Sequence, residues 1–354
     1  MENKKPNKQN TTKPFELSYT HEFSRILNSL NSSLAVSTYQ AGKVILLSSQ
    51  SPKELIQLPR SFSSPMGLAL DKNRFAIATK TNITTFGKMN KQVLKQKEDK
   101  YDACFIPTAS FYTGFAHLHD ISFGEDKLYA VNTNFSTIGT VNIDYNFTPY
   151  WKPQFIDEVT GEDQCHLNGM AMQNNRPRYV TAFSKTSEAK GWRKTDLKKG
   201  ILIDIESNEI VSDNIHIPHS PRFHNNKVYF LESATSKLKV YNPKTNKTTE
   251  LIKLHGFVRG LDFIRDYAFI GISKIRPSSK LFGNLEVAKK DYNAGVVVVH
   301  MPSKKIVAKI EYLSSVNEIY DIKLLPNIKR ANIIGMDNEQ FNVISMPNSG
   351  YWLD

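Results

Sequence analysis

Two cysteines in 354 residues, Cys104 and Cys165, leave no disulfide framework and no paired-thiol motif. That scarcity suits a reducing setting, so a cytoplasmic location is expected. No run of about 18 apolar residues occurs, and no membrane span is expected. The opening stretch, MENKKPNKQNTTKPFEL, lacks the apolar core of a secretory signal. A glycine-rich nucleotide loop, a serine elbow and a paired-carboxylate signature are also missing. Acidic residues are the scarcer charge: 34 Asp and Glu against 46 Lys and Arg give a formal net charge of +12. Much of the excess is lysine scattered through turns and the N-terminal tail. No helix-turn-helix or RNA-binding signature accompanies it. A solvated basic surface is therefore expected, with no specific nucleic-acid partner.

What is present is a globular composition, 40% hydrophobic and 11% aromatic, and a repeat. Six segments share one design: a turn-like start, a short apolar run, a polar step and a second apolar run. They are PMGLALDKNRFAIAT, HDISFGEDKLYAVNT, NGMAMQNNRPRYVTAFS, HSPRFHNNKVYFLES, RGLDFIRDYAFIGIS and YDIKLLPNIKRANIIGM. Anchored on Gly67, Asp120, Gly169, Ser220, Gly260 and Asp321, they recur at intervals of 53, 49, 51, 40 and 61 residues. A loose period of about 50 residues is that of propeller blades. The fold class expected is all-β, a single β-propeller, six-bladed with seven left open.

Three hairpins fall between anchors, KGILIDIESNEIVSD, LKVYNPKTNKTTELIKL and GVVVVHMPSKKIVAKIEY, with Asn-, Pro- and Ser-rich turns. Three further strands, SLAVSTYQ, KVILLSS and ELIQLP, precede the first anchor, and no convincing hairpin follows the last. The simplest closure lets both chain ends build one blade, which removes exposed sheet edges. Residues 1–20 read as a disordered basic tail and residues 21–354 as one domain. A short helix is expected over HEFSRILNSL, from the helical spacing of Phe23, Ile26, Leu27 and Leu30. Residues 84–115 and 275–294 read as long insertions.

In a propeller the first strand of each blade lines the channel. The connections between blades share one face with the loops joining second and third strands. The residues just before the anchors are Met66, His119, Asn168, His219, Arg259 and Tyr320, five of them polar. A ring like this suggests a wet, ligand-holding mouth. Loops on the same face add Lys43, Arg193, Lys274 and Arg276, and the repeat adds Arg222. Guanidinium groups favour carboxylate, phosphate or sulfate. The expected ligand is small and anionic or sugar-like, held by Asn168, Arg193, Arg222, Arg259, Lys274, Arg276 and Tyr320. For catalysis, His119 or His219 would be the acid–base group and Asp120 or Asp321 its orienting partner. Hydrolase, lyase and epimerase chemistry all fit.

His119, His166 and His219 open three consecutive blades and could hold a divalent metal, although no local HxxxH spacing fixes that reading. Plainer readings stand beside these. The histidines could be structural, and the two aspartates could tie down turns. Cys165 reads as an inert thiol rather than a nucleophile paired with His166, because neighbours on a strand point apart. Trp192 could stack on a sugar or cover the channel edge. A non-catalytic propeller that binds a protein partner on the same face is the alternative.

At these residues the chain resembles a known bacterial family. The strings TYQAGK, HDI, VNTNFS, CHLNGMA, PRYVTA, GWR, PHSPR, RGLDF, SKIR and EIYDI resemble a domain of unknown function, DUF4915, from about Ser33 to Pro326. The resemblance implies a propeller-like fold and supplies no substrate.

Overall fold

The polar step inside the first five repeats is a tight turn; in the sixth it leads instead to Ala331–Ile333, a strand parallel to Ala103–Phe105. Glu125–Asp126, Asn174–Asn175 and Asn225–Asn226 all adopt left-handed backbone, with φ between 47 and 61°. Two successive left-handed residues make the turn whose twist matches paired strands, and Asn and Asp tolerate it best. Each turn joins the first two strands, a and b, of a four-stranded antiparallel sheet.

The computed structural model describes residues 13–89, 100–275, 279–334, 343–346 and 349–352. It contains six such sheets, here blades 1 to 6. Their first strands are Leu68–Asp71, Leu118–Gly124, Leu167–Gln173, Pro218–His224, Phe257–Ile264 and Asp321–Pro326. Each anchor lies in or beside one of them. Blade 6 takes strand a from the C-terminal part and b, c and d from Ser32–Thr38, Lys43–Ser51 and Glu54–Ser61. Ser32 to Ser37 pair antiparallel with Pro326 to Asp321, so both ends of the chain close the ring. The count is six, not seven.

Blades stack face to face, so inner strands are buried on both sides. That is why Gly295–His300 reads as an unbroken valine run while the outer strand Lys247–Lys253 keeps charged side chains. Within Lys227–Glu232, Val228 and Phe230 pack toward blade 3, and Tyr229 and Leu231 toward blade 5. Six apolar layers of this kind fill the six gaps between blades. The helix α1, His21–Ser29, caps the layer between blades 5 and 6, where Phe23 meets Phe269 edge-on at 5.9 Å.

The expected tail and insertions need correction. Leu17–Tyr19 is not tail but an extra edge strand on Lys305–Tyr312 of blade 5, and residues 1–12 lie outside those described. Residues 84–88 and 103–112 are not insertion but belong to the paired strands Asn82–Lys88 and Ala103–Tyr112 of blade 1, and residues 90–99 lie outside those described. Residues 279–294 do lie in an inserted loop, with one short turn of 3-10 helix at Glu286–Lys289, and residues 276–278 lie outside those described.

The anchors alternate. Odd blades carry glycine and even blades carry Asp120, Ser220 and Asp321. A Cβ at Gly67 would lie 3.1 Å from the Asp120 backbone, and one at Gly260, whose φ is +81°, 3.1 Å from that of Asp321. Each even-blade side chain then accepts an amide from the next odd blade: Met170 to Asp120, Gly260 to Ser220 and Leu68 to Asp321. The ring is thus three two-blade units clasped through strand a.

Candidate functional site

Two sets of polar side chains rise from the first strands, and they behave differently. The first is a closed knot. Arg222 donates to Asp120 at 2.7 Å and lies 3.4 Å from Asp321, and it also donates to the carbonyls of Leu261 and Met170. Burial opposes the charge of Arg222, but Asp120 and Asp321 more than offset it, so its pKa is raised. One cation serves two carboxylates, and Asp120 has the shorter contact. Burial therefore lifts the Asp321 carboxyl to about 6, against the pull of Arg222 and with Asp120 adding. Asn168 is similarly spent, donating to the Pro218 carbonyl and accepting from Thr181. None of Asp120, Asn168, Arg222 and Asp321 lines the mouth. Neither aspartate bonds a histidine, so the expected orienting role is not what they do here.

The second set surrounds an open pocket of about 530 Å³. Its lining comes from the connections between blades and from b–c loops, as the topology demands. His119, His166, His219, Arg259 and Tyr320 line it, with Arg193 and Lys274 toward solvent and Phe183, Trp192, Phe257 and Phe282 as apolar wall. Arg259 lies flat on Tyr320, 3.4 Å from the ring centre, with Glu318 at 3.7 Å. Tyr39 stacks on Tyr320 from another side. Burial pushes the Tyr320 phenol up, with Arg259 opposing, so it remains a donor. Lys274 is paired with Asp291. Lys43 donates to Ser61 and is not part of the lining. Arg276 lies outside the described residues. Two other surface depressions, of about 1030 and 820 Å³, contain none of the anchor-ring residues.

The three imidazoles are held alike. Nδ1 of His119 lies 2.9 Å from the His117 carbonyl and 2.9 Å from the Thr133 hydroxyl, whose own proton goes to the Leu167 carbonyl. Nδ1 of His219 lies 2.8 Å from the Ser233 hydroxyl, whose proton goes to the Val258 carbonyl. The Ile217 carbonyl also accepts from this ring. His117 and Ile217 both have left-handed backbone, which turns each carbonyl back onto the histidine two residues on. For isoleucine that conformation is strained, and it is fully buried here. Nδ1 of His166 faces the carboxylate of Asp163 at 2.9 Å, and the same carboxylate accepts Trp192 Nε1 at 2.8 Å. Every partner is an acceptor, so Nδ1 carries a proton in each of the three rings, and Nε2 is the atom left toward the pocket. No described residue bonds any of the three Nε2 atoms. Burial first, then His166 and Arg259, holds His119 well below the ordinary histidine pKa. Burial, then Arg259 and His166, does the same for His219.

The rings of His119 and His166 meet edge-on at 5.0 Å, but the Phe183 ring stands 4.4 Å from His166 and 5.3 Å from His219. Among the described residues no three His, Cys, Asp or Glu side chains are placed to hold a metal. The expected three-histidine metal set shares the pocket without converging. Cys165 is buried, and burial pushes its thiol up to about 12, so it is no nucleophile. Trp192 does line the pocket, its ring tilted by 39° to that of His166 at 4.3 Å.

Asp163 was not singled out in the sequence, nor were the hydroxyls that follow strand b. Ser37, Thr133, Ser233 and Ser273 each donate to a carbonyl at the entry of the next blade. Their signal is present: Ser or Thr follows the second apolar run in five of the six repeats, and Ser37 follows LAV in the strand that completes blade 6.

The fold and this mouth define a six-bladed β-propeller with a histidine-lined pocket at one end of its channel. The chain belongs to the family described as a domain of unknown function (DUF4915), whose model matches residues 21–334. A comparison with curated proteins finds no match. Among solved structures the chain is similar to one in a nidogen–laminin complex, at 10% identity and TM-score 0.53, covering 83% of this chain and 98% of that one. It is equally similar to a protein of unknown function from Bacteroides caccae, at 11% identity and TM-score 0.53, with the same coverage. At such identities the likeness is one of fold. Among the described residues no helix is long and apolar enough to cross a membrane.

Proposed function

We propose that this propeller binds a small anionic molecule in the pocket at its mouth and can act on it by acid–base chemistry. The observation that carries the reading is that Arg259 lines one pocket with three histidines whose Nδ1 atoms are already committed. These acceptors open onto the pocket beside a cation, a combination that suits a polar, anionic occupant. Arg259 would hold the anion. His166, oriented by Asp163, is the best-placed base, because a carboxylate behind an imidazole fixes its tautomer and stabilises its protonated form. His119 and His219 would act as neutral acceptors. Hydrolysis, elimination and epimerisation all remain compatible with that set.

The test is binding of a panel of small carboxylates by calorimetry, in the wild type and in Arg259→Gln. Binding that the variant abolishes supports the reading, and its absence in both contradicts it. The alternative, a protein-binding mouth, has one observation in its favour: Phe115 and Phe135, linked through Asn134, are 58% and 40% exposed. A partner docking there would bury both rings and need not enter the pocket.

A further inference from the structure

The hydrogen-bond polarity of the pocket specifies its ligand more closely than charge does. Resting on the proposal above that a small anion occupies the mouth, we infer that this anion is a polyhydroxylated carboxylate, a sugar acid. Its carboxylate would meet Arg259 and its hydroxyls would donate to the bare Nε2 atoms of His119, His166 and His219.

The argument is one of elimination by donor and acceptor. Each ring has its proton fixed on Nδ1 by an obligate acceptor: the His117 carbonyl, the Asp163 carboxylate, and the Ser233 hydroxyl whose proton is already donated to Val258. In a neutral ring the side facing the ligand can therefore only accept. Arg259 can only donate, and Tyr320 keeps its proton. A phosphate or sulfate ester brings several oxygens without protons. Some of them would face nitrogen lone pairs, because the other two cations of the lining, Arg193 and Lys274, stand at the exposed rim. A simple alkyl carboxylate satisfies Arg259 and leaves the imidazole acceptors unmet. Sites built to hydrogen-bond a hydroxyl reject the analogue that lacks it, each lost bond costing on the order of tenfold in affinity. A neutral sugar reverses the fault, meeting the histidines and leaving Arg259 with only Glu318 at 3.7 Å. A cation would be repelled by Arg259. Of these classes, a molecule carrying both one carboxylate and several hydroxyls is the one that answers Arg259 and the three imidazoles together.

The experiment is calorimetric titration of the full chain with four- to seven-carbon sugar acids, D-gluconate and D-glucuronate among them. Alkyl carboxylates of matching length, D-glucose and glucose 6-phosphate complete the set. His219→Phe is titrated alongside. Phenylalanine suits the site, where His219 already lies between the rings of Phe183 and Phe257, and Ser233 keeps its bond to Val258. The expected result is a sugar acid binding at least tenfold more tightly than its alkyl counterpart, with that margin shrinking about tenfold in His219→Phe while alkyl carboxylate binding stays level. The comparison between ligands stands on the wild type alone if the variant does not fold. Equal or tighter binding of the alkyl carboxylates, or of glucose 6-phosphate, overturns the inference and leaves the anion site intact. Binding of glucose as tight as that of the sugar acids overturns it too. Failure of every ligand, with Arg259→Gln indistinguishable from wild type, overturns both this inference and the reading it rests on.

Discussion

His119 and Asp120 are neighbours in sequence, as are Tyr320 and Asp321, yet one member of each pair belongs to an open pocket and the other to a closed knot. In the knot, two carboxylates, one guanidinium and the amides of Leu68 and Met170 satisfy one another. In the pocket, His119, His166 and His219 are each bonded through Nδ1 only. The difference separates polar groups that hold blades together from polar groups left open to the pocket. Residue type does not make that distinction; the completeness of each group's hydrogen bonding does.

The largest effect that can break the comparison is on stability. Arg222→Met strands two buried carboxylates, and removing one partner of a buried ion pair typically destabilises by roughly 3–5 kcal/mol. Denaturant unfolding should show a loss of that order, and near-wild-type stability would mean the knot does not clasp the ring. Asp321→Asn gives a pH signature of the same knot. The folded carboxyl sits near 6, above its ordinary 3.8, so the folded chain holds this proton more tightly than the unfolded one. Stability from this group is present below about pH 4 and is lost as pH rises through 6, by on the order of 3 kcal/mol. The stability of the variant relative to wild type should therefore improve between pH 4 and 7. A flat difference would remove the knot's shared-cation account.

The pocket gives smaller, binding-specific effects. Arg259→Gln should weaken the carboxylate ligand about a hundredfold, the equivalent of roughly 2.7 kcal/mol, while melting close to wild type. Asp163→Asn should cost about tenfold in affinity, because the amide removes the charge behind His166 and turns an NH2 donor against the N–H of His166 or of Trp192. Any activity should fall further than binding if His166 is the base. Lys274→Ala, at the exposed rim and paired with Asp291, should change affinity less than about threefold, and only at low salt.

The fold was legible because it is repetitive. Three repeats announce their a–b turn through Asn-Asn or Glu-Asp, and the valine run and Lys-rich outer strands mark inner and outer positions. Even the closure of the ring followed from what each end lacked. The anchor rule also led to the pocket: His119, His219, Arg259 and Tyr320 all line it. It led equally to Asp120, Asp321, Arg222 and Asn168, which turn out to bond the protein itself. That separation needs contacts between blades 50 to 250 residues apart in sequence, such as Met170 to Asp120 or Leu68 to Asp321, and no local pattern carries them. Asp163 was hidden for a simpler reason. It acts on His166 from within an irregular connection, through a left-handed backbone that has no spacing signature.

The most direct test of the division between knot and pocket pairs two variants with two readouts, melting and sugar-acid binding. The account predicts a double dissociation: Arg259→Gln melts like wild type and does not bind, whereas Arg222→Met melts far lower yet binds normally at temperatures where it is folded. Arg222→Met abolishing binding without loss of stability, or Arg259→Gln unfolding the ring while its folded fraction still binds, would contradict it.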